Sequence, residues 1–426
     1  MKKTITTIAL VTMSGSALAQ SGLDIDRAYA AELRADANTR SSLLGSAGSA
    51  IDAEIFTQFR YTYNTVDEVG GSTLGDNDTT VGFSTPRTQV RLSGAVEGTD
   101  ITGHVSFDFG GAFNHAGGTG AGGATLRDAY AAWGIDDNWT FLFGQMKNPL
   151  SFESNVAPEF SQGVERSLTN SFFDVGYTQG IALNYSDDEW KFTAVLSDGP
   201  NAANTFYNSG AESDISITGR LDWLISGNWD QFNDFASWQG SNTGFRVGAG
   251  LHWSQAGDTN PTSTTVDTAT VTSWTVDGQY EGDGWGVFAS YQSTNVDNDL
   301  IAGGSVDQTD DGLVIQGNMF LTEQFELFAR YDMIILEDDA AAITPLAATD
   351  DDAYSTLTIG FNYYLVPESY AARFSMDVAF GLDDTSGLTT RGFSDVATTG
   401  YVGSTIAGGV TYESDLMIRG QFSLLF

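Results

Sequence analysis

The sequence ends in Leu416-Met417-Ile418-Arg419-Gly420-Gln421-Phe422-Ser423-Leu424-Leu425-Phe426. In an extended chain successive side chains point to opposite faces, so Leu416, Ile418, Phe422, Leu424 and Phe426 share one face, while Met417, Arg419, Gln421 and Ser423 share the other. The first face suits hydrocarbon and the second water. The same period of two begins near Glu54, where Ile55, Phe59, Tyr61 and Tyr63 alternate with Glu54, Gln58, Arg60 and Thr62. It recurs through Val90-Leu92-Val96, Ile181-Leu183-Tyr185, Ile215-Ile217-Leu221-Trp223, Trp274-Val276-Tyr280, Phe325-Leu327-Tyr331 and Leu357-Ile359-Phe361-Tyr363, among others. With less regular stretches at 127–135 and 139–143, sixteen strands are counted between residues 51 and 426.

The connections alternate in length. Those around 65–82, 110–124, 146–173, 198–212, 255–269, 295–309, 336–351 and 381–414 are long, and those at 98–100, 136–138, 186–188, 282–283, 322–323 and 366–369 are short. Only 227–242 breaks the rhythm. No segment past residue 19 approaches eighteen uninterrupted apolar residues, so no spanning helix is expected. A membrane barrel instead hides its hydrophobicity in every second residue. The predicted fold is therefore all-β: a sixteen-stranded antiparallel transmembrane β-barrel with short periplasmic turns and long external loops. An even strand number returns both ends of the barrel to the periplasmic side. A soluble sandwich would also alternate, but with shorter strands and no fixed loop rhythm.

Composition agrees with long strands closed by turns: 49 Gly, 27 Phe, 16 Tyr and 9 Trp stand beside 7 Pro. Residues 1–19 read as a secretory signal, with Lys2 and Lys3, an apolar run from Ile5 to Met13, and Ala17-Leu18-Ala19 before Gln20. Its removal would take two lysines and move the formal charge from -37 to -39. Within 20–50, Ile25, Tyr29, Leu33, Ala37 and Leu44 recur at helical spacing, followed by a Gly/Ser tether over 45–50. An amphipathic periplasmic helix is expected, with a plug, a coiled coil and a weakly ordered leader as open alternatives. Domains are thus 1–19, 20–50 and 51–426.

The absence of cysteine excludes disulfides, thiolate metal sites and a cysteine nucleophile. His104, His115 and His252 are the only imidazoles. There is no Gly-x-Ser-x-Gly elbow, His-Glu-x-x-His or phosphate loop, so no enzyme, cofactor or nucleic-acid partner is expected. Acid-rich loops at 307–311 and 349–352 have the oxygens calcium needs but lack EF-hand or RTX spacing.

Charge is the informative feature of the wall. Parity turns nine of the thirteen basic residues beyond residue 50 inward: Arg60, Arg87, Arg91, Lys191, Arg220, Arg246, Arg330, Arg373 and Arg419. Lipid-facing arginine is costly, which explains the face. The excess of Arg over Lys suits a wall that orders anions or pairs with an acidic loop through a planar fork. Glu54, Asp108, Asp222, Asp277, Glu281, Glu326, Asp332 and Asp377 also read as inward, and most remaining acid falls in the external loops, where a negative rim would concentrate cations.

The third long loop carries its own charges. Over 144–167 it offers Lys147 and Arg166 with Glu153, Glu159 and Glu165, stiffened by Pro149 and Pro158. Sixteen strands enclose a channel too wide for side chains to fill, so this loop is expected to fold inward and narrow it, opposing charges across the passage. Gly144-Gln145-Met146-Lys147-Asn148-Pro149, with Glu153 and Glu165-Arg166-Ser167 after it, resembles the phosphate-selective porin O/P family. So do Leu126-Arg127-Asp128-Ala129-Tyr130 and the Arg-rich strand over 87–94, and the terminal Phe426 resembles the assembly signature of outer-membrane barrels. The resemblance implies a homotrimeric, passive outer-membrane channel for ions and small hydrophilic solutes, embedded in outer-membrane lipid, with Lys147 and Arg166 near the constriction. The chain departs from a phosphate channel in being strongly acidic and lacking a lysine-rich ring, leaving anion or phosphate preference open. The alternative is an outer-membrane anchor whose segment 21–50 contacts the cell wall or a partner.

Overall fold

The computed structural model describes residues 51–69, 79–109, 124–207, 213–256, 269–300, 304–337, 353–383 and 411–426. The signal segment, the helix expected within 20–50 and the acidic stretch 349–352 lie outside the described residues.

Seventeen strand segments close into one sheet. Two of them pair with the same neighbour and form one interrupted strand, so the wall has sixteen strands. The first half comprises β1 (Ile51–Val69), β2 (Thr79–Ser84 and Thr88–Ala95), β3 (Ile101–Asp108), β4 (Thr125–Gly134), β5 (Trp139–Lys147), β6 (Tyr177–Ser186), β7 (Trp190–Ser197) and β8 (Ser213–Ser226). The second half comprises β9 (Gly244–Ala256), β10 (Thr270–Glu281), β11 (Trp285–Leu300), β12 (Gly304–Phe320), β13 (Phe325–Ile335), β14 (Ala353–Tyr364), β15 (Ala372–Gly381) and β16 (Thr411–Leu425). Every neighbouring pair is antiparallel, and β16 returns to β1 with Arg60 opposite Gln421 and Tyr61 opposite Gly420. Closure leaves no free edge, as a bilayer requires of a sheet.

Register puts the sequence's two faces where the barrel needs them. Phe59, Trp133, Phe143, Ile217, Leu251, Trp274 and Ile359 are exposed on the outer wall, whereas Arg60, Arg246, Asp377 and Arg419 are buried inside. Near the short-turn end, outward aromatics pair across strands: Trp139 with Tyr185 at 4.8 Å, Trp190 stacked on Trp223 at 5.4 Å, and Tyr280 with Trp285 at 4.9 Å. Such rings form the interfacial girdle of a membrane barrel.

Three departures from the sequence reading have physical causes. β11 and β12 stay paired to Leu300 opposite Gly304, so the long loop expected over 295–309 is mostly a hairpin extension. There Asn295 donates to Asp307 at 2.8 Å across the pair. β2 breaks at Thr85-Pro86-Arg87, since Pro86 has no N–H for the ladder. At Ser106 the β3–β4 register shifts, so that Arg127 and Asp128 together oppose one residue. Such a bulge turns a side chain that strict alternation would send outward.

Gly144 is the position where backbone freedom is needed. Its φ is +135°, and a Cβ there would lie 2.2 Å from the Ala129 carbonyl oxygen. Gly144→Ala is expected to cost at least ~1–3 kcal/mol of barrel stability, read as a lower urea midpoint of the detergent-folded protein.

Candidate pore constriction

The loop between β5 and β6, residues 148–176, turns into the barrel. Short helical pieces stiffen it: α1 (Phe152–Asn155), a 3₁₀ turn over Pro158–Phe160, and α2 (Leu168–Phe173). Ser151 and Ser167 supply the N-caps, accepting from Ser154 N at 3.4 Å and Asn170 N at 2.9 Å. Two apolar contacts seat the loop. Leu168 and Phe173 of α2 pack with Ile334, Leu336, Tyr354, Ala379 and Met417, while Phe152 and Val156 pack with Phe235, Phe288 and Val314. Leu150 passes so close to the wall that a Cβ at Gly250 would sit 2.3 Å from its carbonyl oxygen.

Charged groups fasten the rest. Glu165 lies between Arg60 of β1 and Arg87 at the break in β2, taking the Arg87 fork at 2.8 and 2.7 Å. Glu159 accepts both ends of the Arg91 guanidinium, one at 2.8 Å. Asp377, held by Arg419 at 2.8 Å, accepts the Val164 N–H at 3.1 Å, and Asp332 accepts the Leu168 N–H at 3.1 Å. Arg330 and Arg373 donate to the loop carbonyls of Glu165 (2.9 Å) and Ser161 (2.8 Å). Arg220 donates to the Leu150 carbonyl at 3.0 Å and shares Asp277 with Arg246, whose guanidinium lies 3.1 Å over the Phe152 ring. Within the loop, Glu153 accepts from Ser167 N and Oγ at 2.6 Å. Burial alone would raise the Glu165 pKa, but Arg87 and Arg60 reverse that and hold it at about 2.

The sequence-derived candidates therefore separate into two groups. Arg60, Arg87, Arg220, Arg246, Arg330, Arg373, Arg419, Glu153, Glu159 and Glu165 are buried at the loop–wall seam. Arg91, Lys147, Arg166 and Lys191 keep accessible surface. Arg166 donates to the carbonyls of Glu153 (3.1 Å) and Val156 (2.5 Å), and Lys147 to that of Ser154 (2.6 Å), with Asp174 3.9 Å away. Lys191 lies 4.5 Å over the Trp229 ring.

Arg127 belongs with the accessible group, and parity missed it. The Ser106 bulge brings it inward, where it meets Asp108 at 3.2 Å and stands 5.4 Å from the Tyr177 ring centre, on which Lys147 also bears at 5.6 Å. The adjacent polar pair Arg127-Asp128, in a strand that otherwise alternates, was the signal available. Ser106 Oγ donates to Asp128 at 2.5 Å. Below this group is an open cavity of about 530 Å³ whose lining includes Ser93, Thr102, His104, Tyr130 and Asn184. Among the described residues, no cluster of three or more His, Asp or Glu could hold a metal ion.

The accessible cations lie along β2 to β7 and the facing side of the loop. Inward side chains of the opposite wall, among them Thr218, His252, Thr275, Gln292 and Thr358, are buried. What remains open is thus eccentric, bounded by Arg91, Arg127, Lys147 and Arg166, with Glu54, Asp128 and Asp174 among them.

A family model described as phosphate-selective porin O and P matches residues 55–399. Solved structures of similar fold include an anion-selective porin from Comamonas acidovorans, at 13% identity and TM-score 0.54, covering 89% of this chain and 100% of that one. The outer membrane channel DcaP of Acinetobacter baumannii is 14% identical at TM-score 0.58, covering 89% of this chain and 99% of that one. OmpF of Salmonella typhi, in complex with daunomycin, is 14% identical at TM-score 0.56, covering 89% and 98%. No curated protein matches the sequence.

Glu165→Gln leaves Arg60 and Arg87 facing a neutral group, and breaking such a buried pair is expected to cost ~3–5 kcal/mol, read as a lower unfolding temperature and noisier single-channel current. The carboxylate has its ordinary value of 4.5 lowered to about 2. Its stabilisation is therefore complete above pH 4.5 and lost as pH falls through about 2. Conductance noise should be flat from neutrality to the upper limit and rise only below it, and the Gln variant should lack that rise.

Proposed function

The chain belongs to the phosphate-selective porin O and P family, and on that premise we propose how this outer-membrane channel selects what passes. Ions and small hydrophilic solutes diffuse along the β2–β7 wall, beside the inward loop, with no covalent step and no cofactor. Arg127, Lys147 and Arg166 form the selective stretch and favour anions there. The observation that carries this reading is their shared position on the open side: Arg127 and Lys147 both bear on Tyr177, and Arg166 spends its hydrogen bonds on neutral carbonyls. Lys147 and Arg166, which spend their hydrogen bonds on carbonyls, retain more positive potential for a passing anion than groups locked to carboxylates, and Arg127, with about a third of its side chain exposed, adds to it beyond its 3.2 Å contact with Asp108.

The ten buried charges serve a different purpose in this proposal. Arginines sealed against Glu165, Asp277 or Asp377 cannot relay an ion without first losing those partners. They hold the loop, and the passage takes its shape from it. Residues 1–19 direct export, and three copies assemble in the membrane. The tethering alternative depends on 21–50, and no described residue favours it.

A reversal potential measured across a potassium chloride gradient tests the selective stretch. The protein as it stands should favour chloride, and Arg127→Gln combined with Lys147→Gln should shift permeability toward potassium by several-fold. A strong potassium preference unaffected by the two changes would sink the proposal.

A further inference from the structure

The connection from β8 to β9, residues 227–243, is far longer than the other short-end turns, and it does not hang below the barrel. It opens with a 3₁₀ turn over Trp229–Asn233 capped by Asn228, whose side chain accepts from Gln231 N at 3.2 Å. Trp229 donates to the Asp187 carbonyl at 2.9 Å, fixing the start beside β7. The chain then rises into the lumen. Phe235 is 5% exposed, with its ring 5.7 Å from Phe152 of the inward loop and 5.1 Å from Phe288 of β11. Trp238 packs against Phe320 at 4.8 Å and Tyr364 at 4.6 Å, and Tyr370 meets both Trp238 (5.7 Å) and Phe160 of the loop (4.8 Å).

Polar contacts show that the fit is specific. Inward Asn318 of β12 donates to the Phe235 carbonyl at 2.9 Å and inward Gln279 of β10 to the Asp234 carbonyl at 2.8 Å. Ser237 Oγ donates to the Gly282 carbonyl, and Gly240 N to Asp283 at 2.7 Å. The Phe235 and Asp234 carbonyls, which would otherwise face solvent, are thus satisfied by wall side chains that point into the channel. A partly enclosed cavity of about 400 Å³ lies within the segment, lined by Asp230, Asp234 and Trp238 among others and by Glu281 of β10.

We propose that segment 227–243 is a second size-determining element of the channel: a strut entering from the periplasmic end that props the inward loop and closes the β10–β14 side of the exit. The loop alone narrows the barrel from above. With Phe152 resting on Phe235, and Phe160 on Tyr370 of the β14–β15 turn, which itself packs on Trp238, the loop cannot sink toward the periplasm, and solute leaves only along the β2–β7 wall. Lys191 over Trp229 marks the edge where closed and open halves meet. The proposal rests on the reading of the protein as a diffusion channel and adds what limits solute size on the periplasmic side.

The test replaces 229–242 by a two-residue Asn-Gly turn in the full chain, with folding checked by heat-modifiable migration on a gel. In planar bilayers single-channel conductance should rise by about 1.5-fold or more, because flux follows the open cross-section. In liposome swelling, neutral sugars one or two units larger should enter. A second variant, Phe235→Ala with Trp238→Ala, keeps the segment's length and is read if the shortened chain does not fold. It should raise current noise and admit the same larger sugars. Unchanged conductance and size limit in a folded, conducting variant would overturn the strut. No conductance from the unaltered protein would instead overturn the channel reading itself.

Discussion

Glu165 between Arg60 and Arg87 is the contact on which the interior depends. A carboxylate taken out of water costs several kcal/mol, and only well-placed counter-charges recover it. Here the two arginines come from neighbouring strands, and one is available because Pro86 interrupts β2 just before it. The loop cannot be moved as a rigid flap without exposing that charge to an unpaired, low-dielectric site. The same logic repeats at Asp277 and Asp377, where wall arginines hold a carboxylate that in turn bonds or flanks the loop. The lumen is organised as a set of ion pairs sharing one inserted segment.

This arrangement changes what an inward arginine means. In an open wall it would be a site for passing anions, but most of those here are sealed by the loop they hold. On the proposed reading, selectivity falls to the fewer cations that keep accessible surface on the open side, Arg127, Lys147 and Arg166. Burial explains the division: a guanidinium sealed at the seam, whether against a carboxylate or a loop carbonyl, is out of reach of a passing ion, while one that keeps accessible surface is not.

The barrel was legible because its rule is local. Alternation and loop rhythm are properties of neighbouring residues, and sixteen strands followed from Leu416, Trp274 or Phe361 without knowledge of contacts. The position of the loop was legible from its length and charges. What parity missed was Arg127, since one inserted residue at the Ser106 bulge inverts the face, and no count of apolar positions contains that shift. Nor could it say which arginines would be covered, because coverage is set by the path of 148–176 through space. The 227–242 interruption was visible as an exception to the rhythm, but its destination inside the lumen depends on Asn318, Gln279 and Phe152, far apart in sequence.

The filling of one half of the barrel has a counterpart on its outer surface. β3 and β7 are eight residues long, whereas β11 and β12 run to 16 and 17. An eight-residue strand inclined at about 40° spans only ~20 Å along the membrane normal, less than the ~25 Å apolar band of an outer-membrane barrel. β3 and β7, which border the proposed passage, are therefore the strands that fit a bilayer least well, and lipid beside them must thin to meet them or yield to a neighbour of the same height. On the proposed reading, the lowest strands of the wall flank the open path, and the tallest, β11 and β12, stand on the filled side.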